Sequence, residues 1–307
     1  MRPSLGGETL RFSLAYFFLF AILGITSPYL QILLRSLGYG PAAVGLFLAL
    51  FEVVGILGPL VLARLADAHG SYRLALICAA GATILAFPVL ALVPRVWATV
   101  ASLILLSLGL KTLIPVMDAT GITWSLSPGP GKRRVSYGAL RALGSAGFIA
   151  MALSVQLLPN FDTRPPWVMA VAAIIPAIIL IVICLFLPAP PRKEALASSR
   201  PSGERRRFDP VFALGLVVIG LSRLAMSPFA SFLSLYAAEG LGLHHAGIIW
   251  ALGGAAEIPL MIVSGLIIAR LGTMASIAVG AGAIVLRLAI LALVPTPLGL
   301  YGSQLLH

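Results

Sequence analysis

Glu52, Arg223, Glu257 and Arg287 each interrupt an otherwise uncharged run of about 20 residues, the length that crosses the hydrocarbon core of a bilayer. Asp118 and Arg141 stand in two further runs of this kind. A guanidinium in such a place holds a carboxylate or hydroxyl ligand through several donors in fixed geometry. A carboxyl caught between burial and a neighbouring cation can take up and return a proton. On the milder scales a charge at mid-bilayer costs about 3 kcal/mol, so each of these groups must be paired, wetted or protonated. Charges of this kind face a bundle interior or a water-filled path.

The residues themselves leave two readings open at each position. Asp118 and Arg141 fall on consecutive helices, where they share a ligand or tie the helices as an ion pair. Glu257 has Arg287 and Arg223 as available cations, and serves substrate, proton coupling or a structural pair. Glu52 binds substrate or faces a polar partner across the contact between the second and the eleventh span. Lys111 lies seven residues before Asp118 on the same helical face, and the expected reading is snorkelling or a local pair.

The elements that position these groups follow from composition. The 307 residues are 60% hydrophobic and only 10% charged, with a mean hydropathy of +1.05. No soluble globular domain has this balance. Nine complete spans are predicted, near 12–34, 43–63, 74–94, 96–122, 138–159, 166–188, 210–236, 244–269 and 272–294, with a truncated tenth from about 297. The fold class is therefore an all-α integral membrane bundle. The first run is too long, and too soon followed by another, for a cleaved signal peptide.

The net charge of +11 is a topology signal rather than a mark of nucleic-acid binding. With the N-terminus in the cytoplasm, 14 of the 21 Lys and Arg fall on inner segments, and only Arg35, Arg95 and Arg164 fall on outer loops. The expected location is the cytoplasmic (inner) membrane, multi-pass, with the N-terminus inside.

Residues 189–209, rich in Pro, Ser and charge, read as a cytoplasmic linker after six spans. The sequences on either side echo each other. Ser27-Pro28-Tyr29 recurs as Ser227-Pro228-Phe229, Ala63-Arg64-Leu65 as Ala269-Arg270-Leu271, and Leu90–Pro94 as Leu291–Pro295. The echoes keep one order, with offsets of 200 to 206. They predict parallel repeats of a six-helix unit, the plan of many secondary transporters. The expected domains are a six-helix bundle over 1–188, the linker 189–209, and a second bundle over 210–307. The second unit is expected to be C-terminally incomplete, with three full helices and part of a fourth.

At this point the chain resembles the major facilitator superfamily. Leu65-Ala66-Asp67-Ala68-His69-Gly70-Ser71-Tyr72-Arg73 is similar to its cytoplasmic signature, which implies that Asp67, Gly70 and Arg73 form an inner latch. A closer resemblance is to the lactose-permease-like and phenylpropionate-permease-like proton symporters. It rests on Pro115-Val116-Met117-Asp118-Ala119, Tyr137-Gly138-Ala139-Leu140-Arg141 with Gly144, Ala256-Glu257-Ile258, Val285-Leu286-Arg287-Leu288 and Leu305-Leu306-His307. The resemblance implies substrate contacts from Asp118, Arg141, Phe148 and Glu257, and proton coupling through Glu257, Arg287 and His307. In that family an acid follows one turn beyond the His, where this sequence stops.

The expected function is secondary active transport of a small polar or organic solute by alternating access, coupled to protons. The alternative is a truncated, inactive carrier fragment, or a half that needs a complementing chain. The partners expected are a small-molecule substrate, protons and the lipid bilayer, with the chain a monomer and no nucleic acid bound. No enzyme chemistry is expected: no nucleophile–base spacing, metal-ligand cluster or Gly-rich phosphate loop is visible, and no metal or cofactor is implied. Cys78 and Cys184 read as core thiols, and the adjacent His244 and His245 point different ways on a helix. Gly55, Gly58, Gly144, Gly147, Gly253 and Gly254 are expected to let helix backbones approach closely.

Overall fold

The computed structural model describes residues 5–69, 72–126, 136–158, 166–188 and 210–307. The predicted linker 189–209 and Gly70 lie outside them, as does the side chain of Asp67. The regular structure of the described residues is helical throughout. The helices are α1 (Leu5–Ser36), α2 (Pro41–Gly55), α3 (Leu57–His69), α4 (Tyr72–Leu92), α5 (Val96–Leu126), α6 (Tyr137–Gln156), α7 (Pro166–Leu185), α8 (Pro210–Leu235), α9 (Ala246–Leu271), α10 (Thr273–Leu293) and α11 (Pro297–Gln304). A single π-turn, Tyr236–Gly240, follows α8.

Nine segments among the described residues are long and apolar enough to cross a membrane, and they coincide with the nine predicted spans. The second span is α2 and α3 together, with a break at Ile56, and α11 is the predicted tenth. Local chemistry sets several ends. Pro41 and Pro297 begin α2 and α11, where the missing N–H is no loss. Ser136 and Thr296 cap α6 and α11 by accepting from Ala139 N and Gly299 N, each at 3.2 Å. Gly272, at φ 78°, makes the tight turn from α9 to α10. α5 runs past its expected end at 122 to Leu126, and Thr120 and Thr123 return their hydroxyls to carbonyls four residues back within it.

α6 is the hub that positions the site. It packs closely on α1 along one face and on α9 along another. Both contacts depend on glycine. A methyl group at Gly147 would strike the Phe17 carbonyl of α1, and one at Gly247 of α9 would strike the Ala152 carbonyl of α6. Gly144 abuts the Phe20 ring, and Gly254 abuts Ile149 and Phe148. Gly55 and Gly58 bring the second span against α5, where a side chain at Gly58 would meet the Leu108 carbonyl at 2.7 Å. These are backbone-to-backbone approaches of the kind that small residues permit in a membrane bundle. Apolar burial divides into a large cluster drawn mainly from α1 to α7 and a smaller one around Phe229, Leu233, Ala237, Ile249 and Leu300.

Candidate functional site

Arg287 is the one buried residue of α10, at 2% exposure, and it is the largest fully buried side chain among the described residues. Its guanidinium lies over the Phe229 ring of α8 at 3.9 Å and donates through Nη2 to Gln304 Oε1 of α11 at 2.8 Å. Nη1 meets His307 Nδ1. On the far side of the imidazole, His307 Nε2 stands 2.9 Å from Glu257 Oε1. A guanidinium only donates, so Nδ1 must accept, and the imidazole proton sits on Nε2, pointing at the carboxylate. The order is thus cation, imidazole, carboxylate. Glu257 Oε2 is also reached by Ser145 Oγ of α6 at 3.4 Å. The residues named from sequence for proton coupling therefore meet in one chain. His307 stands between Glu257 and Arg287, an order the sequence did not specify.

One helical turn before Ser145, Arg141 lays its guanidinium over the Phe20 ring at 4.4 Å. Its Nη1 is buried and has no hydrogen-bond partner. Arg141, Glu257 and His307 line a cavity of about 370 Å³, completed by Tyr137, Gly138, Leu260, Met261 and Ser264. The cavity lies toward the ends of α6 and α9 that share a side with the N-terminus of α1. An unsatisfied guanidinium donor and a carboxylate on one wall can hold a small polar or anionic solute by directed hydrogen bonds.

Asp118 and Phe148 are placed differently. Asp118 accepts from the Tyr16 hydroxyl at 3.1 Å, and the same hydroxyl reaches the Met117 carbonyl at 3.2 Å. Neither Asp118 nor Phe148 belongs to the wall just described. Phe148 faces Trp250 of α9, with ring centroids 6.3 Å apart. Arg223 is exposed on α8. Of the predicted latch, Arg73 donates to the Leu187 carbonyl beyond the end of α7, and Arg11 donates to the neighbouring Phe186 carbonyl at 2.9 Å.

Three features were not anticipated from sequence. Lys111 of α5 pairs with Glu52 of α2 at 2.7 Å, and both line a second cavity of about 410 Å³ that also touches α1, α8 and α9. The glycines at 55 and 58 carried the signal, because they turn the second span's polar position toward α5. At the end of the bundle remote from the N-terminus, Arg35 of α1 pairs with Glu239 of the π-turn at 2.7 Å. Nearby, Gln156 of α6 donates to the His244 carbonyl at 3.2 Å and accepts from Gly247 N at 3.1 Å. Gln31 of α1 accepts from Leu235 N at 3.3 Å. Hydrogen bonds and an ion pair thus join α1 and α6 to α8 and α9 at that end. Among the described residues no group of three metal-type ligands exists. Cys78 is exposed and Cys184 buried, both as free thiols, so the core-thiol expectation holds for Cys184 alone.

Residues 9–307 match the MFS_1 like family. The chain belongs to that family. Among curated proteins this family member is similar to the probable 3-phenylpropionic acid transporter of Escherichia coli (strain K12), at 28% identity over 267 residues. That alignment covers 82% of the chain, and the chain spans 65% of the length of this relative. Among solved structures it is similar to the nucleoside transporter NupG, at 19% identity and a TM-score of 0.70 over 97% of this chain and 77% of that one. A point mutant of NupG matches at 18% identity and a TM-score of 0.72, over 97% and 78% of the two chains. The family and the fold are those of major-facilitator transporters, multi-pass membrane proteins.

Proposed function

We propose that this chain is a secondary carrier that moves a small organic solute by alternating access, with proton movement coupled to solute movement. The observation that carries this reading is the shared wall of the 370 Å³ cavity, where Arg141 offers an unpaired donor beside the Glu257–His307–Arg287 chain. Arg141 holds the solute's anionic or hydroxyl group. Glu257 exchanges the proton, and Arg287, acting through His307, offsets its charge while it is ionised. Two lobes, 1–188 and 210–307, joined by 189–209, rock about the α6–α9 contact. Their N-terminal side faces the cytoplasm across the inner membrane, in keeping with the charge bias of the loops. The relative's printed substrate supports an aromatic acid as the first solute to try. The chain is no enzyme, and it acts as a monomer.

The test is uptake by proteoliposomes of aromatic acids, nucleosides and sugars, with and without an inward proton gradient. The reading predicts uptake of at least one solute, accelerated by acid outside. Uptake of none, with the protein folded, overturns it.

A second expectation concerns the remote end. If the Arg35–Glu239 pair marks the outer closure, a disulfide between Arg35→Cys and Glu239→Cys, in a Cys78→Ser background, holds that end shut. Oxidation is expected to remove most of the uptake, and reductant to restore it. Full transport by the cross-linked protein contradicts the assignment of this end as a gate.

A further inference from the structure

Ser27-Pro28-Tyr29 of α1 and Ser227-Pro228-Phe229 of α8 stand at an offset of 200. The match extends to the setting of each helix about its own axis. Tyr29 and Phe229 are both buried, as are Leu33 and Leu233. Leu30 and Gln31 of α1, and their counterparts Ala230 and Ser231 of α8, all line the 410 Å³ cavity. α1 continues that wall toward its N-terminus through Ser27 and Leu23. At the same offset the counterparts on α8 are Ser227 and Arg223. Seven residues, or two turns, separate Arg223 from Ala230, which sets both on one side of α8.

Arg223 is the only charged residue of α8, and it is exposed. Among the described residues no hydrogen bond or ion pair holds its guanidinium. About 20 Å of helix rise lies between Pro210 and Arg223, so the charge sits well inside the span. A charge at that depth is costly against lipid, and one without a protein partner belongs on a water-filled path. The helix face and the missing partner thus agree. Arg223 borders the chamber on its N-terminal side, because the far end of the bundle is joined by Arg35–Glu239 and by the hydrogen bonds of Gln31 and Gln156. The charged residues of the chamber wall, Lys111 and Glu52, stand 2.7 Å apart and cancel at a distance. Arg223 therefore sets the sign of the potential along that approach.

We propose that Arg223 is an anion collector on the inner approach to the chamber, drawing small organic anions into the path and holding off cations. A guanidinium with its donors free meets a carboxylate, sulfonate or phosphate oxygen directly. In a wet cleft such a pair is weak and screened by salt, so the anion passes on rather than staying. The effect falls on the rate of entry from that side, by the concentrating action of one sign of charge in a cleft. The inference rests on the carrier reading above.

The test places a thiol one turn from Arg223, as Ser227→Cys in a Cys78→Ser background, with the Cys78→Ser parent as control. Two methanethiosulfonate reagents of similar size are the probes, one bearing a sulfonate and one a trimethylammonium group. Each rate in inside-out membranes is divided by that reagent's rate with a free thiol in solution. With Arg223 present, the sulfonate reagent is expected to react about tenfold faster than the cationic one, and high salt should shrink the ratio. Arg223→Gln should bring the ratio to about one, and Arg223→Lys, which keeps the charge, should preserve most of it. Equal rates or a preference for the cation with Arg223 in place overturn the proposal, as does a ratio unchanged in Arg223→Gln. So does labelling by neither reagent, which would put this face of α8 against lipid or protein. The charge preference without uptake of any solute in proteoliposomes sinks the carrier reading and leaves the anion collector standing. Uptake without the charge preference does the reverse.

Discussion

Arg141→Ala is expected to abolish uptake while the chain still inserts and folds. The guanidinium has one buried donor with no protein partner, and its main protein contact is the face of Phe20. Losing that cation–π contact costs about 1 kcal/mol, which a bundle of this size tolerates. Leaving a ligand's anion without its guanidinium partner costs about 2–5 kcal/mol, a loss of roughly 30-fold to several thousand-fold in binding. Arg141→Lys keeps the charge but not the planar fork, so it should recover little. Binding, uptake and the thermal midpoint are measured on the same preparation. If Arg141 were only a helix tie, the midpoint would fall and the folded fraction would bind solute normally.

Glu257→Gln is expected to separate coupling from exchange. The amide copies the protonated carboxyl in size but has no proton to release. Accumulation driven by a proton gradient should vanish. Exchange of labelled for unlabelled solute should persist and should lose its acceleration by acid, because the substituted side chain stays in one state. Loss of exchange together with accumulation would make Glu257 a solute contact rather than the proton carrier. The Arg287–His307 arrangement strengthens this expectation. A neutral residue at 257 leaves the Arg287 charge with Gln304, the His307 imidazole and the Phe229 ring but no carboxylate, and a charge stripped of its counterion in a buried place is costly.

The spans were legible in the sequence for a simple reason. Lipid leaves backbone groups no outside partner, so each crossing must be one long apolar helix, and windows of hydropathy find it. The break at Ile56 was not legible, since the apolar run continues through it. Rotation about each helix axis was legible only in part. α5 and α9 are apolar on nearly every side, so periodicity does not say which face turns inward. Hence the sequence left Asp118 and Arg141 either sharing a ligand or paired, and gave no sign of the hydrogen bond that Asp118 accepts from Tyr16, 102 residues away in sequence. Lys111 read as a local group, although it meets Glu52, 59 residues away. Glu257, Arg287 and His307 were named because the sequence resembles a known pattern. Their order in space depends on α11 folding back beside α10, which no local signal encodes.

The central claim is that Arg141 and Glu257 face one water-filled chamber that the solute occupies. Ser264 lies on the wall of that chamber, so Ser264→Cys in a Cys78→Ser background tests the claim most directly. A charged, water-borne thiol reagent is expected to label it rapidly in inside-out membranes, and transported solute is expected to slow the labelling. Labelling only by lipid-soluble reagents, or at a rate that solute leaves untouched, contradicts the account.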